Sequence, residues 1–249
     1  MDLNADVGES FGLWRLGDDD ELLDLITSAN VACGFHAGDA MTMRQVCTAS
    51  AARGVAVGAL VGYRDLAGFG RRRIEYDFAE LRDEVLYQIG ALEAFCRVTG
   101  VRLNHVKPYG ALYRTAAVDE VQAAAVVAAI SEYDPQLGVL CAPGSVLAQL
   151  ATGAGLRPVA EGFVQRAYLP TGQLVARESP GAVITDPEEV ARRAVRMAAE
   201  HQVVAIDGTV VPCPVESLCL QSDIPGTVRV ATLVRAALTD AGLTPVAFA

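Results

Sequence analysis

Short apolar runs alternate with longer stretches of helical period from one end of the chain to the other. Residues 3–7, 29–33, 55–59, 103–107, 138–141, 158–161 and 203–207 read as strands, with 217–220 a weaker one. Between them, 18–27, 39–53, 77–99, 118–131, 145–152, 186–200 and 227–240 carry helical patterns. Their ends are punctuated accordingly. Acids fill the first turn after Asp18, which suits the positive end of the helix dipole. Ser145 suits an N-cap, and Asp186-Pro187 supplies a cap and a first-turn proline. Gly54 and Gly100 stand where helices stop. Strands alternating with long helices predict parallel βαβ units. Seven or eight such strands, with no linker, no internal repeat and no second compositional zone, predict one α/β (β/α) barrel domain over residues 1–249. An open doubly wound sheet is the competing arrangement.

In a parallel barrel the chemistry collects at the C-terminal ends of the strands. The unusual polar residues of this chain fall there repeatedly. They are Asn4, Asp6 and Glu9 after the first strand, and Asn30, Cys33, His36 and Asp39 after the second. Tyr63, Arg64 and Asp65, then Arg71 and Arg72, follow the third; His105 and Lys107 lie on the fourth. Glu161, Gln165 and Arg166 close the sixth, Asp207 the seventh, and Gln221 and Asp223 follow the eighth. A polar residue facing a barrel interior must be satisfied by partners, which favours a pocket role for Asp6 over a turn cap. Glycines flanking His36 suggest a backbone path that presents the imidazole, although a structural histidine fits the same pattern. His105 reads equally as a satisfied core histidine or a catalytic one. His201 follows a helix end and reads as a surface residue. Cys33 reads as a small buried hydrophobe rather than a nucleophile.

Composition sharpens this at one position. Of twenty Lys and Arg side chains only Lys107 is lysine. Where charge alone is needed this chain uses arginine, so a retained lysine points to a compact donor with a movable pKa. The net charge of −10 argues against nucleic-acid or anionic-membrane partners. The run Arg71-Arg72-Arg73 reads as a solvated loop or as an anion clamp. Six cysteines without a CxxC pair fit a reduced, cytoplasmic protein. The N-terminus lacks the look of a signal peptide, and the longest apolar stretch, 121–130, falls short of the roughly 20 residues of a membrane span. His36 and His105, with Asp6, Asp65 and Asp223, form a thin set for a divalent ion, and the metal is left unknown. Neither a GxxxxGK[ST] loop nor a GxGxxG after a strand is present to cradle phosphates.

Taken in order, several segments resemble the LamB/YcsF family of 5-oxoprolinase A subunits. They are DLNADVGESFG at 2–12, SANVACGFHAGD at 28–39, GFGRR at 68–72, YQIGAL at 87–92, HVKP at 105–108 and GALY at 110–113. Later matches are RAY at 166–168, Arg177, PGAV at 180–183, Cys219 and Asp223. The resemblance spans nearly the whole chain, and the segment at 28–39 is specific by itself. It implies a distorted, TIM-like (β/α) barrel similar to that of carbohydrate deacetylases. It also implies ATP-dependent opening of 5-oxoproline to L-glutamate, together with partner subunits B and C. ATP then binds with the partners or with this chain, and homo-oligomerisation is left open.

On that resemblance Asp6 or Glu161 serves as general base, Lys107 stabilises an oxyanion or a phosphorylated intermediate, and His36 or His105 shuttles protons. Arg71, Arg72 or Arg166 holds the substrate carboxylate, with Asn4, Asn30 and Asp223 beside the substrate. The chain departs from the family pattern at Leu60, Tyr109 and Gln221, which replace histidines, and at Gln165, which replaces an aspartate. These departures keep two alternatives open. One is a paralogue without lactam chemistry, with a structural or regulatory role or another small acid as its ligand. The other is a metal-dependent amide or acetyl hydrolase.

Overall fold

The structure, a computed structural model, describes residues 1–248. Seven parallel strands close a barrel. In chain order they are β1 (Asp2–Val7), β2 (Ser28–Ala32), β3 (Ala56–Val61), β4 (Leu103–Pro108), β5 (Gly138–Cys141), β6 (Arg157–Phe163) and, as the closing strand, β9 (Ser217–Gln221). β9 pairs with both β1 and β6, so the ring has no free edge. Outside lie α1 (Asp19–Leu23), α2 (Ala40–Arg53), α3 (Phe78–Thr99), α4 (Gly110–Ala116), α5 (Glu120–Tyr133), α6 (Val146–Gly153), α7 (Pro187–Glu200) and α8 (Thr227–Asp240). No helix among the described residues is long and apolar enough to cross a membrane.

Two expectations change. Residues 203–207 do not form a barrel strand. β7 (Gln202–Val204) is three residues long and folds back on β8 (Val210–Pro212) as an antiparallel pair outside the ring. Asp207 therefore sits exposed in the hairpin turn, accepting a hydrogen bond from the Thr209 N–H, and does not line the barrel mouth. The first helix is also much shorter than 18–27. The chain leaves it at Leu23 because Thr27 and Ser28 are needed at the barrel floor, where both hydroxyls donate to Asp2.

The period-2 alternation of the strands sorts residues in an unusual way. On β1 the apolar Leu3, Ala5 and Val7 join the core between barrel and helices. The alternate residues Asp2, Asn4 and Asp6 face the interior, where other strands answer them with Ser28, Asn30, His105, Lys107, Glu161 and Ser217, all buried. The apolar core is thus a sleeve around the barrel, and much of the lumen is a hydrogen-bonded polar column. Burial of so many polar groups is tolerable only because they satisfy one another.

Candidate active site

The column starts at Asp2, which accepts from Thr27, Ser28 and Ser217. The next level is Asn4, whose Nδ2 donates to Ser217 Oγ at 2.7 Å. Asn30 Nδ2 donates upward and sideways, to Asn4 Oδ1 at 2.7 Å and to Asp6 Oδ1 at 2.9 Å. Its own side-chain carbonyl lies 2.7 Å from His105 Nε2 and so accepts from an Nε2–H tautomer. Burial drives the His105 pKa down to about 3, with the Lys107 charge adding to the effect, so the ring is neutral. Its place is set by a glycine: a Cβ on Gly58 would fall on the His105 ring.

Two residues further along β4, the Lys107 ammonium ends the column. Nζ is 2.9 Å from Asp6 Oδ1, 2.6 Å from Glu161 Oε1 and 3.2 Å from Cys219 Sγ. The side chain is 2% exposed and lies over the Phe163 ring, 5.2 Å from its centroid. Burial alone would lower the lysine pKa, but the Asp6 and Glu161 charges outweigh it and hold the ammonium protonated. Glu161 is pushed up by burial, against the opposing pull of Lys107. Its contact with Lys107 is close but poorly directed, and neither carboxyl oxygen has a hydrogen-bond partner among the described residues. Cys219 is likewise pushed up by burial and stays a thiol.

Above this triad opens a cavity of about 420 Å³, counted with its open mouth, lined by Asp6, Lys107, Arg71, Arg114, Arg166 and Gln221, among others. Arg166 is anchored by donating to the carbonyls of Ala182 and Val175. Burial and the neighbouring arginines lower its pKa only to about 10, so it stays charged. Arg71 donates to Asp223 Oδ2 at 2.7 Å and to Tyr109 Oη at 3.1 Å. Arg177 reaches the same Asp223 oxygen at 2.7 Å. One carboxylate therefore holds two guanidiniums, which leaves an excess of positive charge at the rim.

His36 belongs to a neighbouring cluster rather than to the Lys107 column. It stacks on Tyr109 with centroids 3.8 Å apart, and its Nε2 lies 3.3 Å from Glu9 Oε1. This contact is a hydrogen bond between neutral groups, not an ion pair. Burial, then the nearby Asp6 and Asp223 charges, lift the Glu9 pKa to about 8, and burial lowers His36 to about 3. A Cβ on Gly70 would approach His36 Cβ to 2.7 Å and one on Gly62 would approach Nδ1 to 2.9 Å, so two glycines frame the imidazole.

Of the sequence candidates, Asn4, Asp6, Asn30, His105, Lys107 and Glu161 share one network, and Arg71, Arg166 and Asp223 gather at its mouth. Arg72 does not. Its side chain is 67% exposed and paired with Asp65, whose oxygens also accept from Gly68 and Arg72 N–H groups. That pair ties the loop together and removes both residues from the cavity. The four departures lie close to the site. Leu60 pairs in register with Lys107 and is fully buried beside it. Tyr109 fills the space against His36, and Gln165 Oε1 accepts from the Gln221 N–H at 2.9 Å. Sequence reasoning missed Tyr113, Phe163 and Arg114 as cavity walls. Only the GALY match at 110–113 signalled this stretch, where α4 begins at Gly110, two residues after Pro108.

The LamB/YcsF family model matches residues 1–249. The chain belongs to the LamB/YcsF family. Among curated members, the 5-oxoprolinase A subunit of Mycobacterium marinum is 55% identical over 242 residues, covering 97% of this chain and 96% of that protein. The 5-oxoprolinase A subunit of Streptomyces griseus is 54% identical over 249 residues, with both chains covered completely. Among solved structures, the lactam utilization protein from Thermus thermophilus superposes with a TM-score of 0.94 at 48% identity, covering 99% of each chain. This LamB/YcsF chain thus keeps the family fold over its full matched length.

Proposed function

We propose that this LamB/YcsF protein is the lactam-opening subunit of an ATP-dependent 5-oxoprolinase that converts 5-oxoproline to L-glutamate. One observation carries the reading: a protonated lysine is buried between two carboxylates under a cavity rimmed by arginines. The arginine rim suits the carboxylate of a small acid. The Lys107 ammonium, fixed in a low-dielectric site, suits the oxygen that becomes negative when water adds to the ring carbonyl. In this scheme Asp6 takes the proton from the attacking water. The C–N bond then breaks, and the nitrogen receives a proton from Lys107, which is restored by Asp6. Lys107 touches both carboxylates, so the proton count closes with one water consumed and one amine formed.

The lettered names of the relatives support action within a complex, with subunits B and C as the partners this reading expects. The ATP requirement is assigned to those partners. No group of three or more His, Cys, Asp or Glu side chains among the described residues is arranged to hold a metal ion, and no glycine-rich phosphate loop opens on the cavity. No step of the scheme runs through a metal–triphosphate. The neutral His36 and His105 serve in this scheme as fixed hydrogen-bonding groups.

The test is glutamate release from 5-oxoproline and ATP by the full chain mixed with subunits B and C, with each component omitted in turn. Turnover that requires this chain supports the reading. Assembly with B and C without any glutamate would instead favour the non-catalytic paralogue.

A further inference from the structure

A second, larger cavity adjoins the arginine-rimmed one, about 1860 Å³ counted with its open mouth, and Tyr113, Arg114, Phe163 and Leu174 are walls of both. Glu161 lies on its wall as well. Where the two cavities meet, two buried side chains carry unanswered hydrogen-bonding groups. Tyr113 is 7% exposed, and its hydroxyl has no partner among the described residues. Glu161 is 2% exposed; the Lys107 ammonium meets Oε1 at 2.6 Å, and Oε2 has no hydrogen-bond partner among the described residues.

The contrast with the other buried tyrosines is informative. Tyr63 donates to Gln122, Tyr109 accepts from Arg71, and Tyr168 accepts from the Phe163 N–H. Buried polar groups are almost always paired, and one left open on a cavity wall beside reactive residues points to a ligand as its partner. Burial, reinforced by the Glu161 charge, holds the Tyr113 phenol protonated, so it is a permanent donor. Glu161 next to it supplies acceptor oxygens.

We propose that Tyr113 and Glu161 read the amide edge of the lactam: the Tyr113 hydroxyl donates to the ring carbonyl oxygen, and a Glu161 oxygen accepts from the ring N–H. The inference rests on the 5-oxoproline reading and names the specificity residues within it. A ring forces its amide to be cis, so carbonyl oxygen and N–H project from the same edge. One donor and one acceptor side by side meet both at once. An open-chain trans amide presents the two groups on opposite sides, and a cyclic amino acid without the ring carbonyl presents no acceptor there. A site built around such hydrogen bonds rejects analogues that lack them, because its own buried groups are then left unpaired.

The experiment uses the full chain reconstituted with subunits B and C, with 5-oxoproline as substrate. Three inhibitors serve as probes: proline, which lacks the ring carbonyl, the five-membered lactone acid, which replaces N–H by oxygen, and a non-hydrolysed five-membered lactam acid. Tyr113→Phe is expected to lower kcat/KM for 5-oxoproline by about tenfold. The wild-type preference for the lactam over proline should shrink by the same factor. Its Tm should hold or rise, since an unpartnered buried hydroxyl is removed. Wild-type enzyme should be inhibited far less by the lactone than by a non-hydrolysed lactam of the same size. Wild-type kcat/KM in Tyr113→Phe, or equal inhibition by lactone and lactam, overturns the inference while the 5-oxoprolinase reading stands. Absence of glutamate release by the wild-type mixture removes both. Should Tyr113→Phe fail to fold, the lactone comparison on the wild-type enzyme still decides.

Discussion

Lys107 Nζ stands 2.6 Å from Glu161 Oε1, although the two residues lie on β4 and β6 with β5 between them. The ammonium spans the lumen, and Asp6 meets it from β1 at 2.9 Å. A buried charge that loses its partner is costly, so this contact couples stability to chemistry.

Replacing Lys107 with methionine keeps the volume but leaves Asp6 and Glu161 facing each other without a cation. A loss of about 3–5 kcal/mol is expected, read by urea unfolding at pH 7. The double variant K107M/E161Q should regain part of that stability and none of the 5-oxoproline turnover. Full turnover in K107M would remove Lys107 from the chemistry.

Gly58→Ala should destabilise the barrel by about 1–3 kcal/mol, because its Cβ falls on the His105 imidazole. The cost should be strongly reduced when His105 is also replaced by alanine, since the two changes share one space. Additive losses in the double variant would show that the imidazole does not set this requirement.

Stability should fall as pH rises from 6.5 to 8. Glu9 has a folded pKa raised to about 8 from an ordinary 4.5, so the folded chain binds the extra proton, and that stabilisation fades as pH climbs toward 8. His36 and His105 act with the opposite sign. Their folded pKa values are lowered to about 3, so the unfolded chain binds more protons below pH 6.5 and acid destabilises. The unfolded imidazoles are half protonated at pH 6.5, so their opposing effect dies away by about pH 7.5, and across the interval Glu9 outweighs it. Glu9→Gln should flatten the fall between pH 6.5 and 8, a change of about 2 kcal/mol in chemical denaturation. An unchanged slope would place the Glu9 proton elsewhere.

Arg71 and Arg72 are neighbours with different expected outcomes. Arg72→Ala removes an exposed pair with Asp65 and should change stability by less than about 1 kcal/mol, with turnover unchanged. Arg71→Ala removes a rim guanidinium and leaves Asp223 with Arg177 alone, so KM for 5-oxoproline should rise about tenfold or more. Equal effects of the two variants would contradict the division between loop and rim.

The alternation of apolar runs and helical periods was enough to expect a (β/α) barrel, because each pattern reports which face of an element is buried. It was also enough to suspect the strand ends, since polar residues at inward positions need partners. The matched segments, those at 28–39, 105–108 and 110–113 among them, led to the family. Which apolar run enters the ring was not legible. Residues 203–207 look like a strand locally, but three residues of β7 pair with β8 outside the barrel, and β9 takes the closing place. Spacing likewise could not separate Arg71 from Arg72, or His105 from His36, because loop paths rather than periodicity decide which side chain turns inward.

The local order of the chain, its family and several of its inward polar residues, Asn4, Asp6, Lys107 and Glu161 among them, were legible in the sequence through short-range periodicity and residue chemistry, whereas Asp2, Ser28 and Ser217 were not. Tertiary structure decided the seven-strand closure, the single ammonium shared by Asp6 and Glu161, and the exposure of Arg72. These depend on distances between residues far apart in the chain. Such distances follow from how the whole barrel closes, and no window of sequence contains them.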